Sequence, residues 1–264
     1  MATIRPRAAT SPRRSASAAS AYPRRAMIVM LLMIALLAAG EVVHTDPKLQ
    51  SRSEVTPQDP TPSPVRVAAA PVLPIGPGTS GRFAYAPGYG PVLGTAGKIR
   101  RYRVAVELPA SGSLAAGFAY EVDRVLGDPR GWIAARDVRL RRVPHTAYAE
   151  FTIFLASAGT SRRMCSQGGL DTGGYTSCRL PGRVIINGAR WHGAVAGYGA
   201  PLGTYRAYAV NHEVGHQLGH GHEGCPGRGR PAPVMMQQTY GLEGCTPNPW
   251  PYLKGRRYAG PPVG

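Results

Sequence analysis

Residues His212 to His222 read HEVGHQLGHGH and set His212, Glu213, His216, Gly219 and His222 in the spacing H-E-x-x-H-x-x-G-x-x-H. On an α-helix, residues four apart lie one turn apart on the same face. His212 and His216 can therefore aim two imidazole nitrogens at one metal ion. Glu213 lies about 100° further round the helix, where it can reach a water on that ion without ligating it. Gly219 takes positive φ at low cost, so the helix can stop there and the chain turn back. The return brings in His222 as a third ligand. Three protein ligands with an open fourth position describe one catalytic zinc rather than a structural one. Such an ion acidifies its water, and Glu213 is expected to take the proton as general base. The charge of the zinc is expected to keep Glu213 ionised at neutral pH. His220 is a competing ligand, disfavoured because the helix should already have broken at Gly219.

The preceding residues support a helix over Thr204–Gly219, with Thr204 as N-cap. Ala207, Val210, Val214 and Leu218 recur at helical spacing on one side. His212 and His216 fall on the opposite side, near Tyr205, Tyr208 and Ala209, and that side is expected to look into a cleft. Downstream, PAPVMMQQT (231–239) supplies Met235 and Met236.

These residues resemble the metzincin zinc peptidases, in which a tight turn holds a methionine beneath the metal. An apolar residue usually precedes that methionine, so Val234-Met235 is the preferred match for the Met-turn, with Met236 as the alternative. The stretch from about Arg82 to Tyr258 is similar to an uncharacterised family of proposed exported metallopeptidases from high-GC Gram-positive bacteria. The strings that carry this likeness are DPRGW (128–132), INGARW (186–191), YRAYAVNHEVGHQLGHGH (205–222), PAPVMMQQT and GCTPNPW (244–250). The resemblance implies an α+β fold: a mixed β-sheet packed with helices, an active-site zinc helix and a downstream Met-turn. Some metzincins place a metal-assisting tyrosine two residues after the turn methionine; here that position holds Gln237 or Gln238, and Tyr240 comes later.

Other elements can be read from periodicity. Tyr102, Val104, Val106 and Leu108 alternate as a strand, and Leu114–Leu126 reads as a helix through Phe118, Val122 and Val125. Glu150–Ala156 and Arg183–Asn187 are further strands, and two or more weaker strands are expected within 131–145. Residues 81–97 carry no readable pattern.

The 264 residues suit one domain with appendages. The charge of +17 is arginine-dominated, with six arginines and no acid in the first 25 residues. Residues 1–25 read as a basic disordered cytoplasmic tail. Residues 26–43 read as a membrane anchor, with the alternative of a signal peptide cut after Gly40. Residues 44–80 form a proline-rich linker, and 81–264 the metallopeptidase domain. The expected location is the cell membrane, single-pass with the C-terminal domain outside, or else secreted. Residues 26–264 retain a balance of +11, which favours acidic partners such as anionic envelope polymers. No nucleic-acid motif is present.

Four cysteines in an exported domain point to disulfides; sequence neighbours give Cys165–Cys178 and Cys225–Cys245. His44, His145 and His192 have no local partner and are expected to be exposed or hydrogen-bonded. Glu223 is expected to orient a neighbour. The expected function is zinc-dependent hydrolysis of a peptide or protein substrate. The alternatives are a zinc-fold binding module without turnover and a zinc hydrolase of a non-protein amide. Intact Glu213 favours an enzyme over the binding module.

Overall fold

The computed structural model describes residues 80–109 and 112–263. The expected tail, the apolar segment 26–43 and His44 lie outside the described residues, as does all of the linker except Ser80. Among the described residues no helix is long and apolar enough to cross a membrane.

The unassigned stretch 81–97 contributes two short strands, β1 (Phe83–Tyr85) and β2 (Val92–Leu93). Strand β3 (Lys98–Glu107) follows, starting four residues before the expected Tyr102. Helix α1 (Gly112–Leu126) turns Ala115, Phe118, Ala119, Val122 and Val125 inward. The region 131–145 holds one strand, β4 (Val138–Arg142), where two or more were expected. A single 3-10 turn, Trp132–Ala135, takes the place of the other. The reason lies at Trp132, whose buried indole donates its N–H to the Asn211 carbonyl at 2.8 Å. That anchor pins the segment to a helix instead of a sheet.

Strand β5 (Phe151–Ala156), helix α2 (Ala158–Ser166), strand β6 (Cys178–Leu180) and strand β7 (Arg183–Asn187) come next. Helices α3 (Gly188–Gly193) and α4 (Leu202–Gln217) then lead into a segment with little regular structure. That segment is closed by the hairpin β8 (Tyr252–Leu253) and β9 (Arg256–Arg257).

The seven-stranded sheet runs β2-β4-β3-β5-β7-β6, with β1 paired to the C-terminal half of β3. β4, β3, β5 and β7 are mutually parallel; β1, β2 and β6 join antiparallel at the edges. The architecture is therefore a mixed sheet with helices packed on it. Parallel strands covered on both faces read as unbroken apolar runs, which is why Phe151–Ala156 is buried at every position. Tyr102, Val104, Ile153, Leu155, Val184 and Ile186 form one face, packed with Phe118 and Val122 of α1 and Val210 and Val214 of α4. The opposite face carries a smaller core of Ala156, Cys165, Cys178, Leu180 and Ile185 under α2.

Two disulfides form, Cys165–Cys178 and Cys225–Cys245, in the expected pairing, and among the described residues no cysteine is free. The first joins α2 to the edge strand β6. The second closes the segment after α4 and packs with Ala232 and Met236.

Candidate metal centre and cleft

Helix α4 starts at Leu202, two residues before the expected start, and Thr204 lies within its first turn rather than at its cap. Pro201 holds the cap position, and its carbonyl accepts the Thr204 N–H at 2.9 Å. The helix is buried on more than one side. Ala207, Val210 and Val214 meet the sheet core as expected, but Tyr205, Tyr208 and Ala209 are also covered. The Met236 carbonyl accepts from the Tyr208 hydroxyl, and the Tyr205 and Thr239 hydroxyls share a hydrogen bond, so irregular chain covers part of the side expected to be open. From Tyr208 to Gln217 the histidine side lines the cleft, as expected. The helix ends before Gly219, whose φ of +102° is open to glycine and strained for other residues.

There the three histidines converge. The Nε2 atoms of His212 and His216 stand 3.2 Å apart, and those of His216 and His222 stand 3.0 Å apart. His212, His216 and His222 form the one group of ligand atoms among the described residues close enough to hold a metal ion. Backbone carbonyls orient two of the rings. His212 Nδ1 lies 2.8 Å from the Val234 carbonyl, and His216 Nδ1 lies 2.8 Å from the His220 carbonyl. A carbonyl can only accept, so each Nδ1 carries the proton of its neutral ring and each Nε2 presents a lone pair. Two lone pairs facing each other at 3.2 Å repel unless a cation lies between them. Burial, together with the neighbouring His216, pushes the His212 pKa down to about 3. Burial also lowers His216 and His222. All three rings are therefore neutral above mildly acidic pH, the form that ligates metal.

Glu213 is buried beside the triad, and burial raises its carboxyl to about pKa 8. Among the described residues it takes no hydrogen bond. In the protein alone the carboxyl is thus largely protonated at neutral pH, and ionising it requires a nearby positive charge. His220 does not join the triad. Its ring stacks on Trp132 at 4.2 Å between centroids, while its backbone carbonyl positions His216.

The methionines separate. Pro233–Met236 makes a tight turn, with the Met236 N–H donating to the Pro233 carbonyl at 3.0 Å. Met235 is fully buried in the main core, and Met236 belongs to the small cluster around Cys245. Met235 presses on Gly215, one residue before His216. A Cβ at position 215 would also lie 2.6 Å from the Trp132 ring. A glycine inside a helix costs about 1 kcal/mol relative to alanine, and here it permits that close approach. Sequence reasoning passed over Gly215, although an interior helical glycine is itself a signal.

Two further side chains hold the turn in place. Gln238 is buried; it donates to the Pro233 and Asn248 carbonyls and accepts from the Tyr198 hydroxyl and the Asn248 N–H. Asn248 in turn donates to the carbonyls of Ala232 and Trp250. Gln237 faces the cleft, and Tyr240 is exposed at its rim, where it stacks on Tyr175 at 6.0 Å. Glu223 orients its surroundings as expected, pairing with Arg257 at 2.6 Å and accepting from the Gly260 N–H. His145 lies against Tyr85. His192 departs from expectation: both its ring nitrogens are buried without a hydrogen-bond partner among the described residues.

The cleft has a volume of about 840 Å³ and is walled by the triad and Glu213 on one side and by β6 and the loop before it on the other. Asn187 braces that loop, since its side chain donates to the Gly174 carbonyl at 2.8 Å and caps α3 through Ala189.

A family model described as "Protein of unknown function (DUF3152)" matches residues 71–253, and the chain belongs to that family. No curated protein and no solved structure matches it.

Proposed function

For this member of an uncharacterised family, we propose zinc-dependent hydrolysis of peptide bonds, with the metzincin-type assignment of roles read from the sequence. The observation that carries the proposal is the pair of carbonyl-tied imidazoles whose Nε2 lone pairs face each other at 3.2 Å beside a buried carboxyl. Ligand nitrogens on a tetrahedral zinc stand about 3.3 Å apart, given bonds of 2.0–2.1 Å. The separations of 3.0 and 3.2 Å fit that edge. His212, His216 and His222 hold the ion through Nε2. The zinc supplies Lewis acidity, which acidifies water and polarises a carbonyl.

The remaining roles belong to side chains and backbone. Glu213, ionised by the added positive charge, accepts a proton from the attacking water on a carboxylate oxygen and passes it to the departing amine. The Val234 and His220 carbonyls fix the rings so that their ligating lone pairs need no reorientation. Met235 and Gly215 set how closely the turn approaches the zinc helix. Strand β6 is an edge of the sheet bordering the cleft. Its outer backbone groups suit an extended polypeptide that adds as a further strand. That edge favours a peptide over a small amide. Two disulfides fit an oxidising compartment outside the cytoplasm, to which the segment 26–43 would deliver the domain.

The test uses the full chain. Zinc is quantified by mass spectrometry, and cleavage of a mixed peptide library is followed with chelator and after zinc is restored. One zinc per chain and chelator-reversible cleavage are expected. A zinc-loaded protein that leaves every peptide intact overturns the proposal.

A further inference from the structure

Arg100 lies near the start of β3, on the face that buries Tyr102 and Val104. It is half-buried, and among the described residues its guanidinium makes no hydrogen bond, ion pair or ring contact. Four other arginines of the domain have partners. Arg142 pairs with Asp123, Arg257 with Glu223, Arg103 bonds the Ala147 carbonyl and Arg179 bonds Gln217. None of its guanidinium nitrogens is fully buried, so its five donors reach solvent and are open to a ligand.

The location says what those donors face. Arg100 borders the main cleft and also a second cavity of about 220 Å³. Leu218 and His220 are shared by the same two cavities, so they meet just past the end of α4, beside His216. The other walls of the smaller cavity include Lys98, Asp137 and the rings of Trp132 and Tyr252. Lys98 is likewise unpaired, and Asp137 forms no ion pair with either cation among the described residues. The cavity thus combines two cations, one acid and apolar ring surface. Its net charge is positive, and it is reached from the metal-binding triad.

We propose that Arg100 binds a carboxylate of the substrate in this second cavity, so that the chain selects polypeptides carrying an acidic group near the bond placed at the triad. The planar guanidinium matches a carboxylate with two parallel N–H donors, a geometry that an ammonium group or an amide does not reproduce. The carboxylate comes from an aspartate or glutamate side chain or from a chain terminus; the chemistry of recognition is the same. This inference rests on the peptidase reading for its substrate, but the carboxylate site can be measured without turnover.

The experiment uses the zinc-supplemented full chain with Glu213→Gln, so that probes are not consumed. The probes are fluorescein-labelled alanine- and glycine-rich decapeptides with one glutamate moved through successive positions. Each has a glutamine counterpart, and each is made with an acid or an amide C-terminus. Binding is read by anisotropy. At one glutamate position, or for the acid terminus, binding should be at least about tenfold tighter than for the neutral counterpart, as for a charge-assisted hydrogen bond. Which series discriminates identifies the source of the carboxylate. Arg100→Gln should bring the ratio close to one, Arg100→Lys should retain part of it, and Arg228→Gln, outside both cavities, should leave it intact. Melting curves confirm that each variant is folded. Equal affinities throughout, no binding of either form, or a ratio that survives Arg100→Gln overturns the inference. If discrimination is present but the wild type cleaves none of the peptides, the peptidase reading fails and the carboxylate site stands.

Discussion

The sheet from β3 to β7 and the segment from Gly219 to Val263 meet at the histidine triad and are held together by different means. In the sheet, backbone ladders satisfy the polar groups, and side chains are free to be apolar; Phe151–Ala156 is buried along its whole length. The C-terminal segment has only the two-residue strands β8 and β9. Scattered backbone bonds serve some of its carbonyls, and the side chains of Gln238, Asn248, Asn211 and Tyr258 donate to others. The comparison shows how irregular chain can be as exact as a sheet. Side-chain donors reach buried carbonyls that no ladder serves, and one disulfide limits what the chain can do when unfolded. The triad takes His212 and His216 from the regular half and His222 from the irregular half, and the Val234 carbonyl of the irregular half aims the His212 ring.

The largest expected effect tests the chemistry at this seam. Glu213→Gln keeps size and hydrogen-bonding capacity but removes the base. Turnover of an accepted peptide should fall 10²–10⁴-fold, about 3–5 kcal/mol of barrier, while zinc content stays at one per chain. Loss of zinc in this variant would make Glu213 a ligand or structural partner instead.

The two disulfides sharpen the contrast between regions. Their loops span 13 and 20 residues, so in the chain-entropy model removing either should cost about 3 kcal/mol of stability. Only the Cys225→Ser/Cys245→Ser pair should also weaken zinc affinity in a competition titration, because it loosens the segment carrying His222 and Val234. Equal zinc affinity in both double variants would break the division of labour.

Side-chain satisfaction of the irregular segment predicts a further asymmetry. Gln238→Ala strands the carbonyl and the N–H of Asn248 and the Tyr198 hydroxyl, and should destabilise by about 2–3 kcal/mol in denaturant melts. Thr152→Val, also buried but within a ladder, should change stability by less than about 1 kcal/mol.

The smallest effect is a pH dependence of the metal-free protein. Glu213 has its folded pKa raised from 4.5 to about 8, so the stability it contributes falls as pH rises through that interval. His212 has its folded pKa lowered from 6.5 to about 3, so its contribution is complete above 6.5 and is lost as pH falls toward 3. The two nearly cancel between 4.5 and 6.5. Above 6.5 only Glu213 acts, and about 2 kcal/mol should be lost between pH 6.5 and 8. Zinc should abolish that alkaline loss. Persistence of the loss with zinc bound would mean that the cation does not reach Glu213.

Much of this was legible from the chain alone wherever the information is local. The placement of His212 and His216 follows from helical geometry within five residues, and the break at Gly219 from the conformational freedom of glycine. The apolar alternation of β3, β5 and β7 follows from the pleat, and the disulfide pairing from short loops. Helices α2 and α3 were not legible, since AGTSRRMCS and GARWHG carry too few apolar positions for a period to show. Nor was the burial of Tyr205 and Tyr208 on the side of α4 that was expected to be open.

What only the tertiary structure decided are contacts between residues far apart in the chain. The indole of Trp132 meets the Asn211 carbonyl across 79 positions, Gln238 meets Tyr198 across 40, and His212 meets the Val234 carbonyl across 22. No periodicity encodes such pairs, because each depends on where the other elements have already packed. The same holds for Gly215, whose missing Cβ matters only once Met235 and Trp132 arrive, and for Arg100, whose lack of a partner is a property of the assembled wall. The sequence alone determined that His212 and His216 share one face of a helix, because that spacing is local geometry. The fold decided how those rings are aimed and what surrounds them, because orientation and desolvation come from neighbours that the chain brings together only on folding.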